Sequence, residues 1–306
     1  MQLKNFARAL AVSLIVTSQP GLAGGGSGED AQSLLAESWD LLLSKHVKPN
    51  GGVDYQGFAK DQADLERFIG QYGGIDTSVW DDKTKTAGYI NLYNATMILN
   101  LLRYAKEQNI DVSSSKFTAL KINDIKVPGG NIWNGNYKVR LAGQDVHLDN
   151  IEHDLIRGKA GGDLKKLKVS TLDPRIHAAV NCAALSCPRV REKAYRTDNL
   201  DAMLTENMKE YLSTEDQFAK LSDSKLKANQ IVFWYYDDFE EHGVKVDKNG
   251  GAGTWLSQFV APDAKDAAWK VAHLKKNFND RGKISLKLSS DFDFHYNWLV
   301  NDIRNK

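Results

Sequence analysis

Only two cysteines occur in the 306-residue chain, Cys182 and Cys187. That is too few for a disulfide scaffold, so a hydrophobic core has to hold the fold. Neither sign of charge is in excess, with 40 Lys and Arg against 39 Asp and Glu. Without Lys4 and Arg8, which sit in a leader, 38 basic side chains face 39 acidic ones. With no basic stripe, the chain lacks what draws a protein to nucleic acid or to an anionic membrane surface. Past the leader no apolar run is long enough to cross a bilayer, and no repeat or low-complexity tract is found.

What is present begins with "MQLKNFARALAVSLIVTSQPGLAGGGSGED". A basic start, a short apolar run and the small residues Gly21-Leu22-Ala23 follow in the order of a secretory signal peptide. This predicts a signal over residues 1–23, an uncleaved anchor being the alternative, and a periplasmic or secreted chain over 24–306. Roughly 280 residues suffice for one globular domain.

Helical spacing marks "AQSLLAESWDLLLSKHV", and "TKTAGYINLYNATMILNLLRYAKEQ" predicts a buried helix from about Thr86 to Lys106. "YKVRLAGQDVHL" is two alternating runs around a glycine turn, a predicted hairpin. In "DNIEHDLIRG", Asp149 and Glu152 have capping-box spacing and Gly158 is a stop signal. Asp198 is a candidate cap for "DNLDAMLTENMKEYLS". "NQIVFWYYDDFEEHG" is expected as a strand running into a solvated acidic turn. "TWLSQFV" and "DAAWKVAHLKKNF" read as helices, and "GKISLKLSS" as a strand. Helices first, then strands mixed with helices, predict an α+β fold: a helix-rich single domain with a small, mostly antiparallel sheet.

Chemistry concentrates in "DPRIHAAVNCAALSCPRV". The stretch Arg175–Cys182 is read as a strand, a helix opened by Asp173-Pro174 being the alternative. Five steps are roughly 16 Å along a strand or about 140° around a helix, so His177 and Cys182 are poor direct partners. Three readings fit the cysteines. A staple closing six residues contributes only about 2 kcal/mol. A reactive Cys182 needs an imidazole from elsewhere, His153 or His295, with Asn91, Asn94 or Asn181 orienting it or facing an oxyanion. A metal clip of His153, His177, Cys182 and Cys187 lacks the paired C-x-x-C spacing of zinc sites. Asn91 and Asn94 share a face of an apolar helix and must find partners there. Glu152 reads as a capping residue, and Arg157 as paired with a carboxylate or lying near its helix's end. Trp133 stands between loops where tryptophan stacks on sugars or packs a core.

Together "VDYQGF", "NLYNATMILNLL", "VHLDNIEHDLIR", "DPRIHAAVNCAALSCPRV" and "HYNWLVN" resemble, in order, the family of domain of unknown function 547, over about Val53 to Asn301. The resemblance implies an exported single-domain protein among bacterial members and carries no assigned activity. It places the family pattern on Asn91, Asn94, Glu152, His153, Arg157, His177, Cys182, Ser186, Cys187, Pro188 and Trp298. Two positions depart: Asn297 stands where many members have Asp, and Ala183 where Gly is usual. A serine in place of the second cysteine among plant-type relatives implies a role for Cys182 of its own. The expectation is then a cysteine-dependent hydrolase or acyltransferase on an envelope amide or ester, with no cofactor. Cys182 is its nucleophile, His153 or His295 its base, Asn91 or Asn94 its orienter, and Ser186 lies at the oxyanion. Glu152, Arg157, His177, Asn181, Cys187 and Trp298 surround a small-molecule or envelope substrate. The alternative is a non-catalytic binding or structural protein with a Cys182–Cys187 disulfide.

Overall fold

The computed structural model describes residues 28–279 and 290–306. The expected signal segment, and most of the strand expected in "GKISLKLSS", lie outside the described residues. Helices α1 (Gly28–His46), α2 (Tyr55–Lys60), α3 (Gln62–Gln71) and α4 (Asp82–Glu107) come first, followed by the short α5 (Ser115–Thr118). Two antiparallel hairpins follow, β1 (Lys126–Val127) with β2 (Gly130–Asn131), and β3 (Val139–Leu141) with β4 (Gln144–Val146). The second is the predicted one, turning through Ala142 and Gly143, both at positive φ as a two-residue hairpin requires. After a long irregular stretch come α6 (Leu200–Ser213), β5 (Phe218–Lys220), β6 (Leu226–Asn229), α7 (Ile231–Trp234), α8 (Tyr236–Val246), α9 (Ala252–Ser257), α10 (Ala267–Asn277) and β7 (Phe292–His295). Strand β6 pairs antiparallel with β5 and parallel with β7. The fold is α+β and helix-rich. No helix among the described residues is long and apolar enough to cross a membrane.

Helix α4 organises the larger core. Asp81 caps it by accepting from the Thr84 N–H at 2.7 Å. It packs against α1, α3 and the chain after β4, so it is buried all round from Thr84 to Leu102. Trp39 of α1 stacks on Phe68 of α3 with ring centroids 5.2 Å apart, worth about 1 kcal/mol beyond the area buried. A second, smaller core gathers α6, β5–β7 and α8–α10 around Phe218, Tyr236, Phe239, Leu256 and Phe292.

Three local expectations are corrected. Pro174–Ala178 is a 3-10 turn and the residues after it are irregular, because Asp173 accepts from the Arg175 N–H and proline sits at the first helical position. The expected strand in "NQIVFWYYDDFEEHG" is helical, because β6 ends at Asn229, whose side chain accepts from the Ile231 N–H at 2.9 Å and opens α7. Helix α6 is preceded directly by Asn199 rather than by Asp198.

The tail after β7 stitches these pieces together. Val53 N–H donates to Asn301 O at 3.0 Å, Ile122 N–H to Trp298 O at 2.9 Å, and Leu185 N–H to Leu299 O at 2.7 Å. Alternate residues of this extended tail share a face, which puts Tyr296 and Trp298 on one side. The chain before Cys182 hangs on α4, since Asn94 donates to Ala179 O at 3.0 Å and accepts from the Asn181 N–H at 2.8 Å. Asn94→Ala strands both buried groups. The expected loss is roughly 2–4 kcal/mol, read from the urea midpoint, and a loss under about 0.5 kcal/mol would contradict this account.

Candidate functional site

After Asp149 the chain forms a π-helix, Asn150–Ile156, in which Arg157 N–H reaches back five residues to Glu152 O at 2.9 Å. Such wide turns concentrate at functional sites. Gly158 closes it at φ +70, where an added Cβ would lie 2.7 Å from Val169 O. The expected capping box is absent. Asp149 makes no side-chain cap bond, and Glu152 instead accepts from the Tyr235 hydroxyl at 2.5 Å. The wide turn brings Asp149, Glu152 and His153 to one pocket of about 250 Å³.

His153 lies between the two acids, Nε2 being 4.0 Å from Asp149 and Nδ1 3.9 Å from Glu152, with the Arg157 guanidinium 3.0 Å from Nδ1. Burial raises the Asp149 carboxyl above its ordinary value. Behind this group, Arg157 grips Asp238 of α8 through Nε at 2.6 Å and a second nitrogen at 3.0 Å. His177 Nε2 completes the set at 2.9 Å from the same carboxylate. "DDFEE" is therefore no solvated turn at Asp238, which is buried. Burial pushes Asp238 up, but hydrogen bonds from His177 and Arg157 outweigh it and hold the carboxyl far below the usual range. Burial lowers His177, so its ring is neutral, donates through Nε2 and leaves a buried, unpartnered Nδ1 acceptor. The ring stacks on Tyr235 at 3.8 Å.

Cys182 and Cys187 are joined by a disulfide, with Cα atoms 6.3 Å apart. Both line the pocket. Cys187 is buried and Cys182 half-buried. The Tyr296 hydroxyl lies 3.0 Å from each sulfur, and the Cys182 N–H donates to Cys187 Sγ at 3.1 Å. Burial drives the Tyr296 phenol far above its ordinary value, so it stays protonated and donates. Ala183 sits at φ +64, a left-handed position that explains why glycine is at home there. Trp298 packs against Tyr296 and Trp234, with centroids 4.4 and 5.5 Å away, and Trp133 closes the wall edge-on at 6.0 Å.

The pocket thus gathers Cys182, Cys187, Glu152, His153, His177, Trp133 and Trp298, and leaves Asn91, Asn94, Arg157, Asn181, Ser186 and His295 outside its wall. Asn91 exchanges both bonds with the Tyr195 backbone at 2.7 and 3.0 Å. Asn181 holds Pro188 O and the Ala183 N–H at 2.5 and 2.7 Å. Ser186 accepts from the Asn297 N–H at 2.7 Å, and the two ring nitrogens of His295 face Ala228 O and Asp216 O at 3.0 and 2.8 Å. Sequence reasoning missed Tyr93, Trp234, Tyr235 and Tyr296. The alternation of Tyr296 with Trp298 was the one available signal. Among the described residues, no three His, Cys, Asp or Glu side chains come together as a metal-holding group.

Residues 77–212 match the model of the family described as Protein of unknown function, DUF547. The matched segment supplies Tyr93, the π-helix, His177 and both cysteines, while Trp234, Tyr235, Tyr296 and Trp298 come from beyond it. No curated protein and no solved structure matches the chain.

The neutral His177 fixes a sign for stability against pH. Below the unfolded value of about 6.5, the unfolded chain binds a proton that the folded chain refuses, so stability falls as pH falls. Burial lowers His147, His242, His273 and His295 as well, in the same direction. The urea midpoint is expected to drop from pH 7 to 5.5, above the range where carboxylates contribute, and His177→Gln should flatten that slope. A midpoint that is level or rises over this interval contradicts the neutral ring.

Proposed function

Since the chain belongs to the DUF547 family over residues 77–212, a family with no activity attached, we propose from the site alone that it is a thiol–disulfide oxidoreductase working through Cys182 and Cys187 on a small ligand in the aromatic pocket. The carrying observation is a disulfide in the pocket wall, on a loop that hydrogen bonds not involving sulfur also hold. Asn181 ties the loop's two ends, Ser186 N–H donates to Asn297 O at 3.2 Å, Asn301 N–H to Ala183 O at 2.9 Å, and Asn229 Nδ2 to Ser186 O at 2.7 Å. These bonds, at about 1 kcal/mol each, exceed the roughly 2 kcal/mol that a six-residue closure contributes. A cross-link that contributes less to its loop than the surrounding hydrogen bonds, and that faces a pocket, has the placing of a reactive one.

Exchange starts when an incoming thiolate attacks Sγ of Cys182, the less buried of the two residues. The S–S bond breaks and its electron pair leaves on Cys187, where the Cys182 N–H and the Tyr296 hydroxyl stabilise the anion. A second substrate thiol then attacks its partner in the mixed disulfide, releasing an oxidised substrate pair and two protein thiols. Run in reverse, the same steps reduce a substrate disulfide.

The acyl-transfer reading asks for a free Cys182 and an imidazole on its sulfur. His153 shares the pocket and favours that reading once the pair is reduced, with an envelope amide or ester as substrate. Against it, the group touching both sulfurs is a phenol that donates, and His295, Asn91 and Asn94 are engaged elsewhere. An oxidised pair also supports a periplasmic or secreted location.

Titration in graded thiol–disulfide buffers, followed by intact mass and alkylation, tests the redox reading. A reversible two-electron transition is expected in the native protein with a midpoint above about −300 mV, Cys182 being alkylated before Cys187. The Cys182→Ser, Cys187→Ser double variant should keep its fold and lose at most about 2 kcal/mol. Tyr296→Phe should slow exchange roughly tenfold, the effect of losing one hydrogen bond to a developing charge. Reduction that requires denaturant, or lies below about −300 mV, would mark an inert staple.

A further inference from the structure

We infer that this pocket selects a protonated amine borne on an apolar body, which names the substrate class of the redox site. The binding claim stands on the lining alone, and only the chemistry that follows binding rests on the redox reading.

Charge comes first. Asp149 and Glu152 line the pocket, and among the described residues no lysine or arginine does. The nearest guanidinium, Arg157, is turned to Asp238 in a two-point grip. An anionic ligand would meet two carboxylates, with the His153 imidazole already set between them and the Arg157 guanidinium paired to Asp238. Hydrogen-bond polarity points the same way. Glu152 and Asp149 accept, and so does His177 Nδ1, buried and without a partner among the described residues, while the His153 ring lies between the two acids with Nδ1 facing Arg157. The phenols of Tyr235 and Tyr296 already donate to Glu152 and to the sulfurs. An ammonium group, which donates three hydrogens and accepts none, answers that set.

The rest of the wall suits the carbon skeleton. Trp234, Tyr296 and Trp298 are mutually packed, with centroids 4.4 to 5.5 Å apart, and Trp133 stands across from them. Their faces attract a cation and shed water onto an alkyl chain at once. A volume of about 250 Å³ fits a small amine body rather than a folded polypeptide. A substrate of the exchange reaction would then be a thiol or disulfide carrying an amino group.

Three molecules of one shape separate these contributions: 3-methylbutylammonium, 3-methylbutan-1-ol and 3-methylbutanoate. Calorimetric titration into the full oxidised chain is expected to give saturable binding of the ammonium, at least tenfold weaker binding of the alcohol, and none of the carboxylate. Asp149→Asn, at a partly exposed position, should weaken the ammonium at least fivefold and leave the alcohol unchanged. Trp298→Ala should weaken both. Equal affinity for ammonium and alcohol, no binding by any of the three, or saturation by glucose where the amine fails would each overturn the inference. Because the disulfide stays intact throughout, an inert disulfide leaves this result standing, and a failure here leaves the redox titration to be judged by itself.

Discussion

Between Leu172 and Asn199 the chain crosses the interior with almost no regular ladder, so its peptide groups depend on side chains for partners. Carboxamides meet that demand. Asn91 closes a two-bond ring with Tyr195, Asn94 bridges Ala179 and Asn181, and Asn181 in turn spans to Pro188 and Ala183. Asn301 reaches Asn181 from the tail at 3.1 Å, and Asn229 fixes Ser186 from β6. Each amide offers a donor and an acceptor at fixed spacing, as a neighbouring strand would. The cysteine loop is thereby placed to within a hydrogen bond from α4, β6 and the tail, before any sulfur chemistry occurs.

The pocket lies on the seam between the two cores. Tyr93 and Trp133 belong to the larger side, Ile231 and Tyr235 to the smaller, and Tyr296 packs against both. A seam lined only by apolar contacts would slide. Here Asp238 of α8 reaches across to Arg157 at the end of the π-helix and to His177 of the 3-10 turn. Burying that carboxylate is costly, and removing Arg157 would leave its charge uncompensated, which makes the three-way contact a specific lock rather than a general glue. The lock also aligns Tyr235, which stacks on the His177 ring and has the Arg157 guanidinium 5.0 Å from its centroid. Its hydroxyl can then hold Glu152 at the pocket edge.

How much of this was legible depended on whether the cause was local. Helix α4, the β3–β4 hairpin and the Gly158 stop follow from period, turn chemistry and backbone freedom, all written in a few consecutive residues. The strand expected at Arg175 failed because alternating small apolar residues fit a buried irregular run equally well. The Asp173-Pro174 start was the better signal. Asp238 was invisible within "DDFEE", since its partners lie 61 and 81 positions away. Asn297 shows the opposite case. Its carboxamide accepts from the Leu299 N–H at 3.1 Å, a bond an aspartate would make as well, so the departure from the family pattern needs no lost catalytic partner to explain it.

What the sulfurs can do is set by what touches them. An imidazole beside a thiol takes a proton and makes a nucleophile for esters and amides. A phenol held protonated by burial takes nothing, and its hydrogen bond lowers the energy of whichever sulfur carries charge. That help is equal for attack and for departure, which is what reversible exchange between two sulfurs requires and what acyl transfer does not. The same buried phenol forms part of the aromatic wall. In the proposed exchange, binding the ligand's body and stabilising the leaving thiolate would both fall to one residue, Tyr296, delivered by a tail that also secures the loop. On this proposal a ligand on that wall would reach half-buried Cys182 before its buried neighbour Cys187, so the order of attack would follow from the packing.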